Sequence, residues 1–191
     1  MWNGYRNMVM AILDRLAVTG RDRAAISPED AFGRWVEMAT RLDRNGSIHL
    51  VGNGASASMA SHYAADITKN CGIRANVFTD CALITALAND NGYENAYAVA
   101  LDRYGRPGDL MVAISSSGDS PNIVNACRKA GCMGVALVTL SAKKPDNAIR
   151  SLGDLNFYVP GETFSLAESA HAVILHHWTD RLESVRGSGQ S

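Results

Sequence analysis

The chain has 191 residues, of which 47% are hydrophobic and 19% charged, with a formal net charge of −1. That length suits one domain with a substantial core, and so balanced a charge supplies no field to hold nucleic acid or an acidic membrane. No apolar run approaches the ~20 residues of a membrane span and no signal peptide is expected; Cys71, Cys81, Cys127 and Cys132 lack C-x-x-C spacing and read as reduced thiols of a cytoplasmic protein.

Residues 2–18 set Trp2, Tyr5, Val9, Ile12, Leu13 and Leu16 on one face, the pattern of an amphipathic helix. After the charged turn Gly20-Arg21-Asp22-Arg23, Ser27 caps a second helix, with Pro28 at its first position and Glu29 and Asp30 in its first turn. Phe32, Trp35, Val36, Ala39 and Leu42 mark the apolar face of that helix, and Asn45-Gly46 its end. A small sheet cannot cover both helices, so residues 1–45 are expected to be an oligomerisation extension packed against another subunit.

From 46 to 184 strand and helix alternate, with strands expected at 47–51, 75–78, 109–114, 134–139 and 155–159. Helices are expected near 56–69, 93–103, 121–130 and 164–184. Short apolar strands alternating with helices imply an α/β fold whose parallel sheet is covered on both faces. Right-handed crossovers make it flavodoxin-like, a five-stranded parallel sheet in the order 2-1-3-4-5. Residues 185–191 lack apolar content and are expected to form a disordered tail.

Two strand-to-helix loops repeat one chemistry. Gly52-Asn53-Gly54-Ala55-Ser56 follows the first strand, and Ser115-Ser116-Ser117-Gly118-Asp119-Ser120 follows the third. Small residues at such turns let backbone N–H groups and short hydroxyls close on an anion, aided by the helix N-terminus. In the expected strand order the loops lie side by side at the carboxyl ends of neighbouring strands, where open α/β sheets bind ligands. A phosphorylated small molecule is the ligand they suit. No Lys-Ser/Thr pair follows as in a P-loop, and the first loop lacks G-x-G-x-x-G spacing.

Four further residues carry chemistry. His62 and Asp66 are four apart and share a helix face. Glu168 and His176 are eight apart, about 80° around a helix, so a common ligand is feasible. Two imidazoles and two carboxylates suffice for zinc or another borderline divalent ion, and the carboxylates suit proton transfer. Plainer roles stand beside these. A His–Asp pair at that spacing is also a common surface interaction, and Ser165-x-x-Glu168 reads as a capping box. His171 lies on a different face from His176, as packing or solvated surface, and His177 beside Trp178 belongs to the surface or a subunit contact.

Together the two loops, His62 and Asp66, Asn89-Asp90, and Glu168-x-x-His171-x4-His176 resemble the sugar isomerase (SIS) domain family, and within it the phosphoheptose isomerase group. The likeness runs from about residue 30 to 184. It implies a homotetramer with sites at subunit boundaries. The implied reaction is isomerisation of sedoheptulose 7-phosphate to D-glycero-D-manno-heptose 7-phosphate for bacterial surface polysaccharide. It also implies substrate contacts from Asn53, Gly54, Ser56, Asn89, Asp90, Ser115, Ser116, Ser117 and Ser120. By the same resemblance His62, Asp66, Glu168 and His176 hold zinc or another divalent metal, and Asp66 and His176 serve as base and acid.

Three positions depart from that group, which usually has Glu at Asp66, Gln at Glu168 and Asp at Ser165. An aspartate is one methylene shorter, and a base falling about 1 Å short loses on the order of 100-fold in rate. Glu168 is the alternative base, since other SIS isomerases use a glutamate on this helix. Two other functions share the resemblance: a non-catalytic SIS tetramer that regulates replication initiation, and an SIS enzyme for another phosphosugar.

Overall fold

The structure, a computed structural model, describes residues 1–187. Five parallel strands form its centre: β3 (Ser47–Gly52), β4 (Arg74–Val77), β5 (Leu110–Ser115), β6 (Ala136–Ser141) and β7 (Leu155–Tyr158). They lie in the order β4-β3-β5-β6-β7, all parallel, which is the order expected from the alternation. Period-2 alternation divides their side chains between two cores. Ile48, Leu50, Val112, Ile114 and Leu140 join one with Trp35 and Trp178, while Val51, Met111, Ala113 and Leu137 join the other with Leu101 and Ile123.

The sheet has seven strands, not five. The two additional strands, β1 (Ala17–Gly20) and β2 (Ala25–Ile26), form an antiparallel hairpin on the free edge of β7. Hence α1 (Trp2–Leu13) ends five residues before the expected helix did. Local periodicity continued through Leu16, but Val18 gains four-residue pairing with β7, a partner ~140 residues away that no local pattern reveals. Arg23 turns the hairpin in the left-handed region, at φ 64°.

Helix α2 (Pro28–Thr40) starts as its sequence dictates, with Ser27 Oγ accepting the Asp30 N–H at 3.1 Å and Pro28 following. Its apolar face is covered within the chain, where Trp35 stacks on Trp178 at 4.2 Å between ring centroids. Helix α1 is different: only Ile12 is buried, and Trp2, Met8 and Met10 stay exposed. Helix α3 (Ala55–Cys71) follows β3, and α4 (Cys81–Asn91) occupies a stretch where no helix was expected. Asp80 caps α4 by accepting the Leu83 N–H at 3.0 Å, yet none of its residues is fully buried. Helices α5 (Ala96–Tyr104) and α6 (Pro121–Met133) cover the second core. Helix α7 (Phe164–Gly187) crosses the first and takes in the first three residues of the expected tail; residues 188–191 lie outside the described residues.

Candidate functional site

Strands β3 and β5 are neighbours, with Gly52 opposite Ile114, so the loops that leave them share one edge. Gly52 is required there. A Cβ on it would stand 2.6 Å from the Ser56 carbonyl carbon and oxygen, because the first turn of α3 folds back over it. Gly54 then turns the chain at φ 54° into that helix. In the second loop Gly118 adopts φ 68°, and its N–H donates to Ser115 Oγ at 3.1 Å. Ser120 holds the N-cap position of α6 but makes no side-chain cap bond. Its Oγ lies 3.4 Å from Ser117 Oγ instead, which leaves both hydroxyls facing the space between the loops. Ser116 is 95% buried, and its Oγ has no hydrogen-bond partner among the described residues. A buried hydroxyl without a partner is costly, and a ligand oxygen would satisfy it.

These residues wall a cleft of about 270 Å³, closed on the third side by Phe164 and Glu168 of α7. Of the expected substrate contacts, Asn53, Gly54, Ser56, Ser115, Ser116, Ser117 and Ser120 all line it. Asn89 and Asp90 do not. They sit exposed on α4, where the Asn89 amide donates to Asp90 Oδ1 at 2.8 Å. Glu168 is the one ionisable side chain among the described residues of the cleft wall. The capping-box alternative for it does not hold, because Thr163 Oγ1 takes the Leu166 N–H at 3.2 Å and α7 begins at Phe164.

The remaining chemistry-bearing residues lie together beyond the cleft, across the contact of α3 with α7. His62 Nε2 is 3.2 Å from Asp66 Oδ2, and the His62 and His176 rings are 5.8 Å apart in a T-shaped contact. Tyr63 ties the two helices by donating to the Ala172 carbonyl at 2.9 Å. Burial, then the Asp66 and Asp180 charges, push its pKa up to about 12, so it remains a donor throughout the physiological range. Two imidazoles and two carboxylates have the chemistry for zinc or a similar ion. Among the described residues, however, no three His, Cys, Asp or Glu side chains converge closely enough to hold a metal. The helices bring His62, Asp66 and His176 to one surface, while Glu168 faces the cleft. The set therefore has the donor chemistry for a divalent ion, but its four side chains do not meet at one point among the described residues.

Several residues at the site escaped sequence reasoning. Asn122, 2% exposed, pairs with Asn53 across the loops, and Tyr93 and Tyr97 brace the first loop. The one available signal was the polar Asn122 directly after Ser120-Pro121, inside an otherwise apolar turn. His171, three residues from Glu168, is fully buried, with no well-formed hydrogen bond at either ring nitrogen among the described residues. Burial lowers its pKa to about 4, offset in part by the Ser141 backbone, so it packs as a neutral ring. His177 is exposed and meets the Phe32 ring edge-on at 4.6 Å.

Residues 28–142 match the model of the SIS domain family. The phosphoheptose isomerase of Chlorobaculum parvum is 32% identical over 189 residues, covering 92% of this chain and 90% of its own. That of Helicobacter pylori strain Shi470 is 34% identical over 148 residues, 74% of this chain and 77% of its own. Among solved structures, phosphoheptose isomerase from Neisseria gonorrhoeae superposes with a TM-score of 0.74 at 27% identity, covering 80% of this chain and 86% of that one.

Proposed function

The chain belongs to the SIS domain family, and from that premise we propose that it is an aldose–ketose isomerase converting sedoheptulose 7-phosphate to D-glycero-D-manno-heptose 7-phosphate. One observation carries this function: two hydroxyl-rich loops and a single carboxylate, Glu168, enclose the same cleft. A phosphate dianion meets hydroxyls, backbone N–H groups and the N-terminus of α6 at the second loop. That fixes the sugar chain with its carbonyl end toward the remaining wall, where a base has to stand.

Glu168 takes the proton from the carbon beside the carbonyl and returns it to the neighbouring carbon of the resulting cis-enediol. His176 is the group proposed to shift a proton between the two oxygens. Asp66, which pairs with His62 and like His176 lies outside the cleft wall, is the alternative base. His62, Asp66 and His176, with Glu168, are the residues proposed to hold zinc or another divalent ion, which when bound polarises the carbonyl. The exposed apolar side chains Trp2, Met8, Phe164 and Val173, and a helix α4 with no fully buried residue, support a homotetramer with sites at its subunit boundaries. Asn89 and Asp90 are then proposed to serve a neighbour's cleft. No helix among the described residues is long and apolar enough to cross a membrane, and all four cysteines are free, which supports a cytoplasmic setting.

The test is proton NMR of sedoheptulose 7-phosphate with zinc-loaded protein in heavy water. Solvent deuterium beside the carbonyl, with aldose product, is the expected outcome. Absence of exchange with metal bound would redirect the function to another phosphosugar, and absence of both exchange and bound metal to a non-catalytic module.

A further inference from the structure

The two loops are joined by side chains as well as by the sheet, and the joint is directional. Asn122 sits at the second position of α6, and its Oδ1 accepts the Ile123 N–H at 3.0 Å. That bond fixes which end of the buried amide is oxygen, because an amide turned the other way would set its NH₂ against a backbone donor. With Asn122 fixed, the Asn53 amide has one allowed orientation. Asn53 Nδ2 donates to Asn122 Oδ1 at 2.9 Å, and Asn122 Nδ2 donates back to Asn53 Oδ1 at 2.8 Å. Tyr93 completes the set by donating its hydroxyl to the same Asn53 Oδ1 at 2.9 Å. Tyr97 beside it donates to the Gly52 carbonyl at 2.6 Å, so the turn one residue earlier is held from the same side.

A side-chain amide has two N–H donors and an oxygen that accepts two hydrogen bonds. Both acceptor sites of Asn53 are filled, by Asn122 and Tyr93, and one of its donors is used. One N–H is left, on a residue that lines the cleft. Asn53 is thereby turned from an ambivalent amide into a donor alone. A lone donor favours an anionic oxygen, and none of the residues lining this cleft is cationic.

We propose that Asn122 and Tyr93 are positioning residues that lock Asn53 as a hydrogen-bond donor to the ligand's phosphate and set the gap between the two loops. This rests on the phosphosugar function proposed above for the cleft, but it can be tested without turnover. Neither residue touches the ligand; both act through Asn53.

The experiment is calorimetric binding of inorganic phosphate to full-length protein, alongside kcat and KM for sedoheptulose 7-phosphate. Tyr93→Phe removes one hydroxyl from a half-exposed side chain and leaves its ring in place, so the fold is expected to survive, which thermal unfolding checks. Phosphate affinity is expected to fall about fivefold, the effect of losing one hydrogen bond, with KM rising in parallel and kcat within about twofold. Asn122→Ala should lower affinity by roughly tenfold or more, since it frees the Asn53 amide to turn. In the double variant the two losses should not add, because they act through one group. Wild-type phosphate affinity in Tyr93→Phe would overturn the proposal even if Asn122→Ala fails to fold. So would a fall in kcat alone, which would place the Asn53 donor on the reacting oxygens. If wild-type protein binds phosphate but does not isomerise the heptose phosphate, the isomerase function fails while the phosphate arms still decide on the lock.

Discussion

The cleft between the loops and the His62–Asp66–His176 surface are a few residues apart on the same helices, yet they are built differently. The cleft is closely braced: a glycine without room for a Cβ, a left-handed glycine, a reciprocal amide pair and two tyrosine hydroxyls hold its walls. The other surface is open. The His62 side chain is 56% exposed and Asp66 33%, and beyond their own contact His62 is met by the ring edges of Tyr63 and His176. Binding geometry is thus built within one chain, whereas the proposed metal ligands do not converge among the described residues. Glu168 belongs to both regions, since it shares α7 with His176 but faces the cleft.

The sharpest way to break this contrast is to change Glu168. Glu168→Gln keeps shape and removes the base, so kcat is expected to fall by about 1000-fold while phosphate still binds with wild-type affinity. Substantial remaining turnover would hand the base to Asp66 and move the chemistry to the open surface. A second test concerns rigidity. Gly52→Ala forces a methyl group against the Ser56 backbone and should destabilise the protein by about 2 kcal/mol, with a raised KM; thermal unfolding and steady-state kinetics report both. An unchanged melting temperature would mean that the loop yields and the cleft is not preorganised. The smallest effect on folding belongs to the open surface. His62→Ala should cost less than about 0.5 kcal/mol, as exposed pairs do, but should lower the zinc content of the purified protein. Unaltered zinc content would remove His62 from the proposed ligands.

Much of the cleft was legible in the sequence because its chemistry is local. Gly52 to Ser56 and Ser115 to Ser120 are contiguous runs, and each follows an apolar strand whose end is fixed by the run itself. The Ser27-Pro28 helix start was legible for the same reason. The β1–β2 hairpin was not, because its pairing is with β7 and its residues also fit the end of a helix. Helix α4 was missed although Leu83, Ile84 and Leu87 pack half-buried against the second core, because that stripe spans little more than one turn. Glu168 was ambiguous because a capping box and a cleft carboxylate share one spacing; the Thr163 cap separates them only once the first turn of α7 is seen.

What the sequence determined by itself was the alternation of strand and helix, the parallel order of the five central strands and the presence of two anion-suited loops. Periodicity and turn chemistry operate within a few residues, and the handedness of crossovers then leaves few topologies. Tertiary structure alone decided that Asn122 locks Asn53, that Tyr93 reaches the same amide, and that Glu168 faces the cleft while Asp66 does not. Those outcomes depend on side chains 40 to 69 residues apart meeting at hydrogen-bond distance, and on which way a helix is rotated against its sheet. Packing of the whole core sets both.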